Sequence, residues 1–167
     1  MFSFMANAVF YTASNEASGN EIIAFDVDAI GNIREISRFP TRGSGSGNAL
    51  FAQSAITLDA SDRWMFAVNA GDSSLTSFRL QENGLQFVNK IKSGGFRPVS
   101  VTVFGTLVYV LNQGNREPSS PTEIRNDSIS GFRFTAGGIL VPIPNSTRIL
   151  NHHRPTGAVQ IGFNKSG

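Results

Sequence analysis

Wherever apolar residues gather in this chain they alternate with polar ones, and β-branched or aromatic types fill the alternating positions. That pattern predicts strands packed in antiparallel sheets. No stretch of ten or more residues carries a helical period. Three strands share one pattern: Ile23-Phe25-Val27, Thr76-Phe78-Leu80 and Ser130-Phe132-Phe134. Each central Phe lies six residues before a glycine (Gly31, Gly84, Gly138), and the copies are offset by 53 and then 54 residues. Ile22, Leu75 and Ile129 keep the same offsets on the opposite strand face. Three positions repeating in three copies mark a repeated supersecondary unit. Phe25, Phe78 and Phe132 are therefore expected to fill equivalent sites between neighbouring sheets, unless one lies on a terminal open face.

Within the unit, residues 99–103 and 107–111 read as strands around the turn Phe104-Gly105-Thr106. Residues 55–58 and 64–68 do the same around residues 59–63. Both returning strands stop at an asparagine, Asn69 and Asn112, and Asn15 is expected to close the first copy in the same way after a strand over residues 9–14. Four strands per ~40–50 residues is the period of a propeller blade. The expected fold class is all-β, a partial β-propeller of repeated four-stranded antiparallel blades. Its expected divisions are an incomplete blade over 1–53, blades over 54–97 and 98–154, and the first strand of a further blade over 155–167. Residues 158–163 read as that innermost strand, and Asn164-Lys165-Ser166-Gly167 falls where Asp59 begins a turn in the earlier copy.

The segments VYVLNQGN, MFAVNAGD, SNEASGNEIIAFDVDAIGNI and RPTGAVQIGF resemble the lactonase family of seven-bladed propellers, whose blades carry YVTN-like strands. The family includes bacterial 6-phosphogluconolactonase and the fungal carboxymuconate cyclase. The resemblance implies a hydrolase acting on an anionic sugar lactone. Two rival implications are a non-catalytic propeller that binds a ligand or partner, and a carboxymuconate cyclase-like lyase. Seven blades need about 300 residues at this period. The chain is accordingly expected to be a fragment of about three blades, weakly active or inactive alone. It would self-associate or pair with a missing propeller half.

Charge changes the picture only modestly. The chain carries 14 Lys and Arg against 12 Asp and Glu, yet no acid follows Asp127, so the C-terminal half is basic. That balance suits a small anionic ligand. The basic residues form no cluster and the Phe residues sit at core phase, which argues against nucleic acid. No uncharged apolar run approaches the ~20 residues that cross a bilayer, so no membrane partner is expected. No basic n-region opens the sequence, and the compartment stays unassigned. There is no cysteine, which excludes disulfides, thiol catalysis and Cys-ligated zinc.

Candidate chemistry gathers where inner strands begin. Arg97 and Arg154 each precede a proline and an inner strand, so both are placed at the channel mouth, where a guanidinium can grip phosphate or carboxylate with two parallel hydrogen bonds. Asn15, Asn69 and Asn112 reach the same face, with a structural role in the strand-end turns as their default reading. His152 and His153 are the only histidines. One of them, His153 in the reading taken here, could accept the proton of a water attacking a lactone, with Arg154 stabilising the oxyanion and His152 contacting ligand. Two adjacent histidines without nearby carboxylates make no metal site, and no cofactor is expected. Residues 42–48, rich in Gly and Ser, read as a flexible connection and not as a phosphate loop, because no helix follows. The insert over residues 113–127 reads as a lid on the mouth or as disorder.

Overall fold

The computed structural model describes residues 8–115, 126–150, 156–164 and 166. Among the described residues alternation becomes strand up to Ile149, and the protein is a partial β-propeller of antiparallel sheets. The first sheet is β1 (Ala8–Ala13), β2 (Glu21–Val27) and β3 (Ile33–Pro40), in that order. The second runs β4 (Ile56–Leu58), β5 (Trp64–Asn69), β6 (Ser74–Gln81) and β7 (Gly84–Lys92). The third runs β8 (Pro98–Phe104), β9 (Leu107–Asn112) and β10 (Ser128–Phe134), with both β11 (Leu140–Pro142) and β12 (Arg148–Ile149) on the outer edge of β10. The innermost strands lie side by side, since Val101 N donates to Ser54 O and Gln53 N to Val159 O.

The repeat sets how the sheets stack. Phe78 faces the first sheet, in a cluster with Ile22, Met65, Ala67 and Leu85. Phe132 faces the second sheet, in a larger cluster with Trp64, Phe66, Val68, Leu75 and Val110. Both rings are buried. Phe25 points the same way from the first sheet, where no described blade covers it; it is half-buried and stacks on Phe10 at 5.2 Å between ring centroids. The opposite column behaves as its mirror image: Ile22 and Leu75 are buried against the following sheet, while Ile129 is half-buried. The turn glycines complete the fit. A Cβ at Gly84 would enter the ring of Phe39, and one at Gly138 the ring of Trp64, so each turn admits an aromatic of the preceding sheet only because it is glycine.

Matching bulges also recur, between Ala24 and Phe25 against β3 and between Ser77 and Phe78 against β7. The pairing shifts the first copy by one residue, however. Ala13 opposes Ile22 as Val68 opposes Leu75 and Leu111 opposes Ile129, so the residue in register with Asn69 and Asn112 is Ser14 and not Asn15. Asn15 lies one step further along with a left-handed backbone, φ 56°.

Two local readings differ from the sequence expectation. Residues 156–164 form no strand ladder, because no described returning strand pairs with them. They lie against the third sheet instead, with Phe163 packed on Phe104 and Tyr109. Residues 42–48 are not a free link either. Gly43 sits against the Asn69 side chain and Gly45 against the backbone of Asn15, and Ser46 N donates to Asn15 Oδ1 at 2.8 Å. The turn at Asp59 does match its later counterpart: Ser61 N and Oγ donate to Asp59 as Ser166 N and Oγ donate to Asn164.

Two outcomes follow from this packing. Phe78→Ala and Phe132→Ala should each cost about 3–5 kcal/mol in urea denaturation. Phe25→Ala, on an open face, should cost about 1 kcal/mol; equal losses at all three would contradict the stacking order. The second concerns Asp59. Burial pushes its carboxyl up, but the Ser61 hydroxyl and the backbone N–H groups of Trp64, Arg63 and Ser61 outweigh that and hold it below its ordinary value. Its stabilisation is therefore present above the unfolded pKa of about 4 and is lost as pH falls through the lower folded value. Asp59→Ala should cost about 1–3 kcal/mol at neutral pH. The gap from wild type should close in strong acid; a gap independent of pH would refute the assignment.

Candidate functional site

The ends of β5 and β9, the starts of β6 and β10, and the connections into β4 and β8 all meet on one face, the expected channel mouth. Backbone hydrogen bonds repeat there in each copy. Thr41 N donates to Asn20 O, Ser93 N to Ser73 O and Leu150 N to Asp127 O, each at 2.9 Å. Asn20, Ser73 and Asp127 are thus one position in three copies, immediately before β2, β6 and β10.

At the junction of the first and second sheets this position closes a buried polar network. Asn20 Nδ2 donates to Asn69 Oδ1 at 2.9 Å and to Val68 O at 3.1 Å. Asn69 Nδ2 donates to Ser74 Oγ and Thr76 Oγ1, both at 3.0 Å, and Thr76 Oγ1 donates onward to Thr41 O. Every polar atom of the Asn69 side chain is engaged, as a buried amide requires. The second junction is looser. Asn112 is equally buried, but its Nδ2 reaches Ser130 Oγ only at 3.4 Å and its Oδ1 has no hydrogen-bond partner. In the Asn20 position here stands Ser73, shorter and on a left-handed backbone, and it gives Asn112 Oδ1 no hydrogen bond. In the third copy Asp127 Oδ2 accepts the backbone N–H groups of Thr156, Gly157 and Ala158, and so holds the following segment.

Of the residues singled out in the sequence, Asn69 and Asn112 lie buried under the connections at this face, beneath Gly43 and Gly95. Asn15 binds the first connection through Ser46 and the carbonyl of Asn48. Arg97 follows the second connection with φ 54°, a left-handed entry that Ser54 shares ahead of β4. Its backbone N–H donates to Ser73 Oγ at 3.2 Å, its guanidinium reaches Ala49 O at 3.2 Å, and its buried Nε has no acceptor. His152, His153 and Arg154 lie outside the described residues, as do residues 116–125 of the insert. Among the described residues no three His, Asp or Glu side chains come together as metal ligands would. Sequence reasoning passed over Asn20, Ser73 and Asp127; the signal was their constant place one residue before each Phe-bearing strand.

Electrostatics on this face are balanced. Burial pushes the Asp72 carboxyl up, and its bonds with Ser74 and Lys90 outweigh this and hold it below its ordinary range. Lys90 Nζ lies 3.0 Å from Asp72 Oδ2, and Lys92 Nζ donates to Asp72 O. A cleft of about 600 Å³ opens beside them, between the second and third sheets, lined by Ser73, Lys92, Gly95, Phe96, Asn126 and Thr147 among others.

Stacked antiparallel sheets of three to five strands, with their inner edges side by side, are the architecture of a propeller. Residues 2–120 match the model of the lactonase, 7-bladed beta-propeller family, and the chain belongs to that family. Among solved structures it is similar to the periplasmic gluconolactonase of Pseudomonas aeruginosa, at 19% identity and a TM-score of 0.55, covering 86% of this chain and 42% of that one. A Bacteroides uniformis protein titled as a candidate 6-phosphogluconolactonase gives 18% and 0.57, over 81% of this chain and 36% of that one. A Lactobacillus plantarum protein gives 17% and 0.59, over 90% and 47%. At these identities the likeness is one of fold, and the chain spans less than half the length of each. No curated protein matches it in sequence.

The two junctions predict different costs. Asn69→Ala should destabilise by about 2–3 kcal/mol, because it removes three buried hydrogen bonds at once, one each from the Asn20 amide and the Ser74 and Thr76 hydroxyls. Asn112→Ala, with one long hydrogen bond to lose, should cost about 1 kcal/mol or less. Urea denaturation of the two variants compares them directly, and equal costs would show that Asn112 is as well satisfied as Asn69.

Proposed function

We propose that this chain forms part of a lactonase-type hydrolase whose substrate is an anionic sugar lactone bound at the channel mouth. The observation that carries the reading, beyond family membership, is Arg97: a guanidinium at the mouth with a buried Nε–H lacking an acceptor. A phosphate or carboxylate oxygen would supply one. Arg154 stands before Pro155 as Arg97 stands before Pro98, and is proposed as the second cation. In the reaction, His153 accepts a proton from water as the water oxygen bonds to the lactone carbonyl carbon. Arg154 holds the resulting oxyanion. The ring C–O bond then breaks, the leaving oxygen takes the proton, and a hydroxy acid is released. Asn15 and His152 are proposed to contact ligand, while the buried Asn69 and Asn112 hold the connections that shape the mouth.

The chain covers two fifths or so of its relatives, so the site belongs to a completed ring, and the isolated chain is proposed to be weakly active or inactive. The half-buried Phe25 and the exposed Phe10 are the face on which further blades, of a second copy or of another chain, would stack. A second reading, a non-catalytic propeller that only binds, is favoured by Asn69, whose amide is wholly occupied in joining two sheets.

Hydrolysis of 6-phosphogluconolactone above its spontaneous rate, and calorimetric binding of 6-phosphogluconate, test both readings together. Arg97→Ala and Arg154→Ala should each weaken binding at least tenfold, the loss of one charged hydrogen-bonded contact. Binding without turnover would select the second reading. Neither binding nor turnover, or binding indifferent to both substitutions, would end the proposal of an anion site at the mouth.

A further inference from the structure

The face that leads the stack is built like the faces that are buried. Three apolar columns run through the sheets at equivalent places: Phe10, Met65 and Val108; Phe25, Phe78 and Phe132; Ile33, Leu85 and Leu140. Every member in the second and third sheets is buried, packed against the sheet before it. In the first sheet Phe25 is half-buried, while Phe10 and Ile33 are 40% and 62% exposed. A face of this composition is one that another sheet of the same repeat covers. The first sheet differs in a second way. β4 and β8 line the inner edges of β5 and β9, and no described strand lies on the inner edge of β1. Such an edge is a template for a further strand.

The other end of the stack carries the matching piece. Residues 156–164 lie along the third sheet with Phe163 on Phe104 and Tyr109, and no described strand returns beside them. Two equivalences fix how they would meet β1. Asn164 receives the bonds of Ser166 as Asp59 receives those of Ser61, so Phe163 stands where Leu58 does and Ile161 where Ile56 does. Ser14 is in register with Asn69, so Phe10 stands where Met65 does and Thr12 where Ala67 does. Leu58 pairs with Met65 and Ile56 with Ala67. The same ladder sets Phe163 opposite Phe10 and Ile161 opposite Thr12, with Phe163 on the face that Phe10 and Phe25 present. One chain cannot form this ladder with itself, because the second sheet stands between its first and third. We propose that a second copy of this chain forms it. Residues 158–163 of one copy pair antiparallel with β1 of the other, and the blade so completed stacks its Phe column on the third sheet. Joined in this way at both ends, two copies hold about six blades, within the four to eight that propellers use. The pairing supplies a completed ring from one sequence, and it holds whether the mouth hydrolyses or only binds.

The chain has no cysteine, so introduced ones report the pairing without background. Thr12→Cys and Ile161→Cys, made in separate full-length chains and then mixed, should give a disulfide-linked heterodimer on mild oxidation. Directly opposite residues of an antiparallel ladder stand ~4.5–5.5 Å apart at Cα, within reach of a disulfide. Neither variant should cross-link alone. Ala8→Cys lies ~13 Å along the strand from Thr12 and should not link to Ile161→Cys. Sedimentation equilibrium of the wild type should give twice the mass of one chain, falling to one chain on dilution. Phe10→Glu, which would bury an unpaired carboxylate in the new interface, should raise the dimer dissociation constant roughly a hundredfold or more. The cysteine pairs keep the test decisive if that variant does not fold. A wild type that is monomeric at every concentration would overturn the proposal, as would a dimer unmoved by Phe10→Glu. Thr12→Cys linking to itself would show the wrong ends in contact and overturn it too. So would Ile161→Cys linking equally to Ala8→Cys and Thr12→Cys, because no fixed register would then exist. None of these readouts involves a substrate, so failure of the pairing is distinct from failure of the anion site.

Discussion

A sheet in this chain has two apolar faces, and it can bury neither by itself. Everything else in the architecture follows from that constraint. The Phe column points back toward the preceding sheet and the Ile and Leu column points forward, so burial is a property of junctions between repeats. β5 shows the consequence: it belongs to the only sheet with a described neighbour on both sides, and all six of its residues are buried. The first sheet has the same kinds of residue but a neighbour on one side only, and there Phe10 and Phe25 stack on each other at the open face. Aromatic pairing contributes about 0.5–1.5 kcal/mol beyond area burial, which offsets only part of what a missing sheet would provide.

Close stacking then dictates the polar chemistry at the mouth. Sheets packed about 10 Å apart leave little room for the connection that crosses from one outer strand to the next inner strand. The crossing passes directly over the asparagine that ends the returning strand, and Gly43 and Gly95 are the residues that let it do so. Burying an amide under that crossing demands partners for three hydrogen-bonding positions. The first junction provides them through Asn20, Ser74 and Thr76, while the second provides one long bond through Ser130. The hydrophobic stack can tolerate that shortfall because buried apolar side chains fill both junctions.

How much of this was legible in the sequence depended on whether the repeat conserved residue type or only position. The Phe and Gly columns keep their identity, and both the strand phase and the stacking direction could be read from them. Asn69 and Asn112 were legible for the same reason. Asn15 misled by one residue, because the β1–β2 pairing places Ser14 in their register and an asparagine happens to follow it. The column of Asn20, Ser73 and Asp127 was invisible, since three different side chains do three different things at one backbone position. The Gly-Ser segment over residues 42–48 looked like a free link because composition reports chain flexibility and not packing. Its glycines are there for close approach, which only the neighbouring sheet reveals.

Ser73 is where the second junction departs from the pattern of the first. Of the three residues in its column it alone takes a left-handed backbone, with φ 54°, and a non-glycine residue there costs roughly 1–2 kcal/mol. Asparagine accepts that region more readily than serine does, and in the ordinary conformation of Asn20 it also closes the network across the junction. Asparagine would meet one demand or the other, tolerating the left-handed backbone or closing the network in the conformation of Asn20. Serine keeps the backbone strained, leaves Asn112 Oδ1 without a donor and forms part of the wall of the cleft. Its hydroxyl does accept the N–H of Arg97, so the same short side chain also fixes the entry to β8. Two neighbouring departures from the best-packed solution, joined by one hydrogen bond on the face where loops meet, concentrate in a single junction the freedom that the rest of the stack does not have.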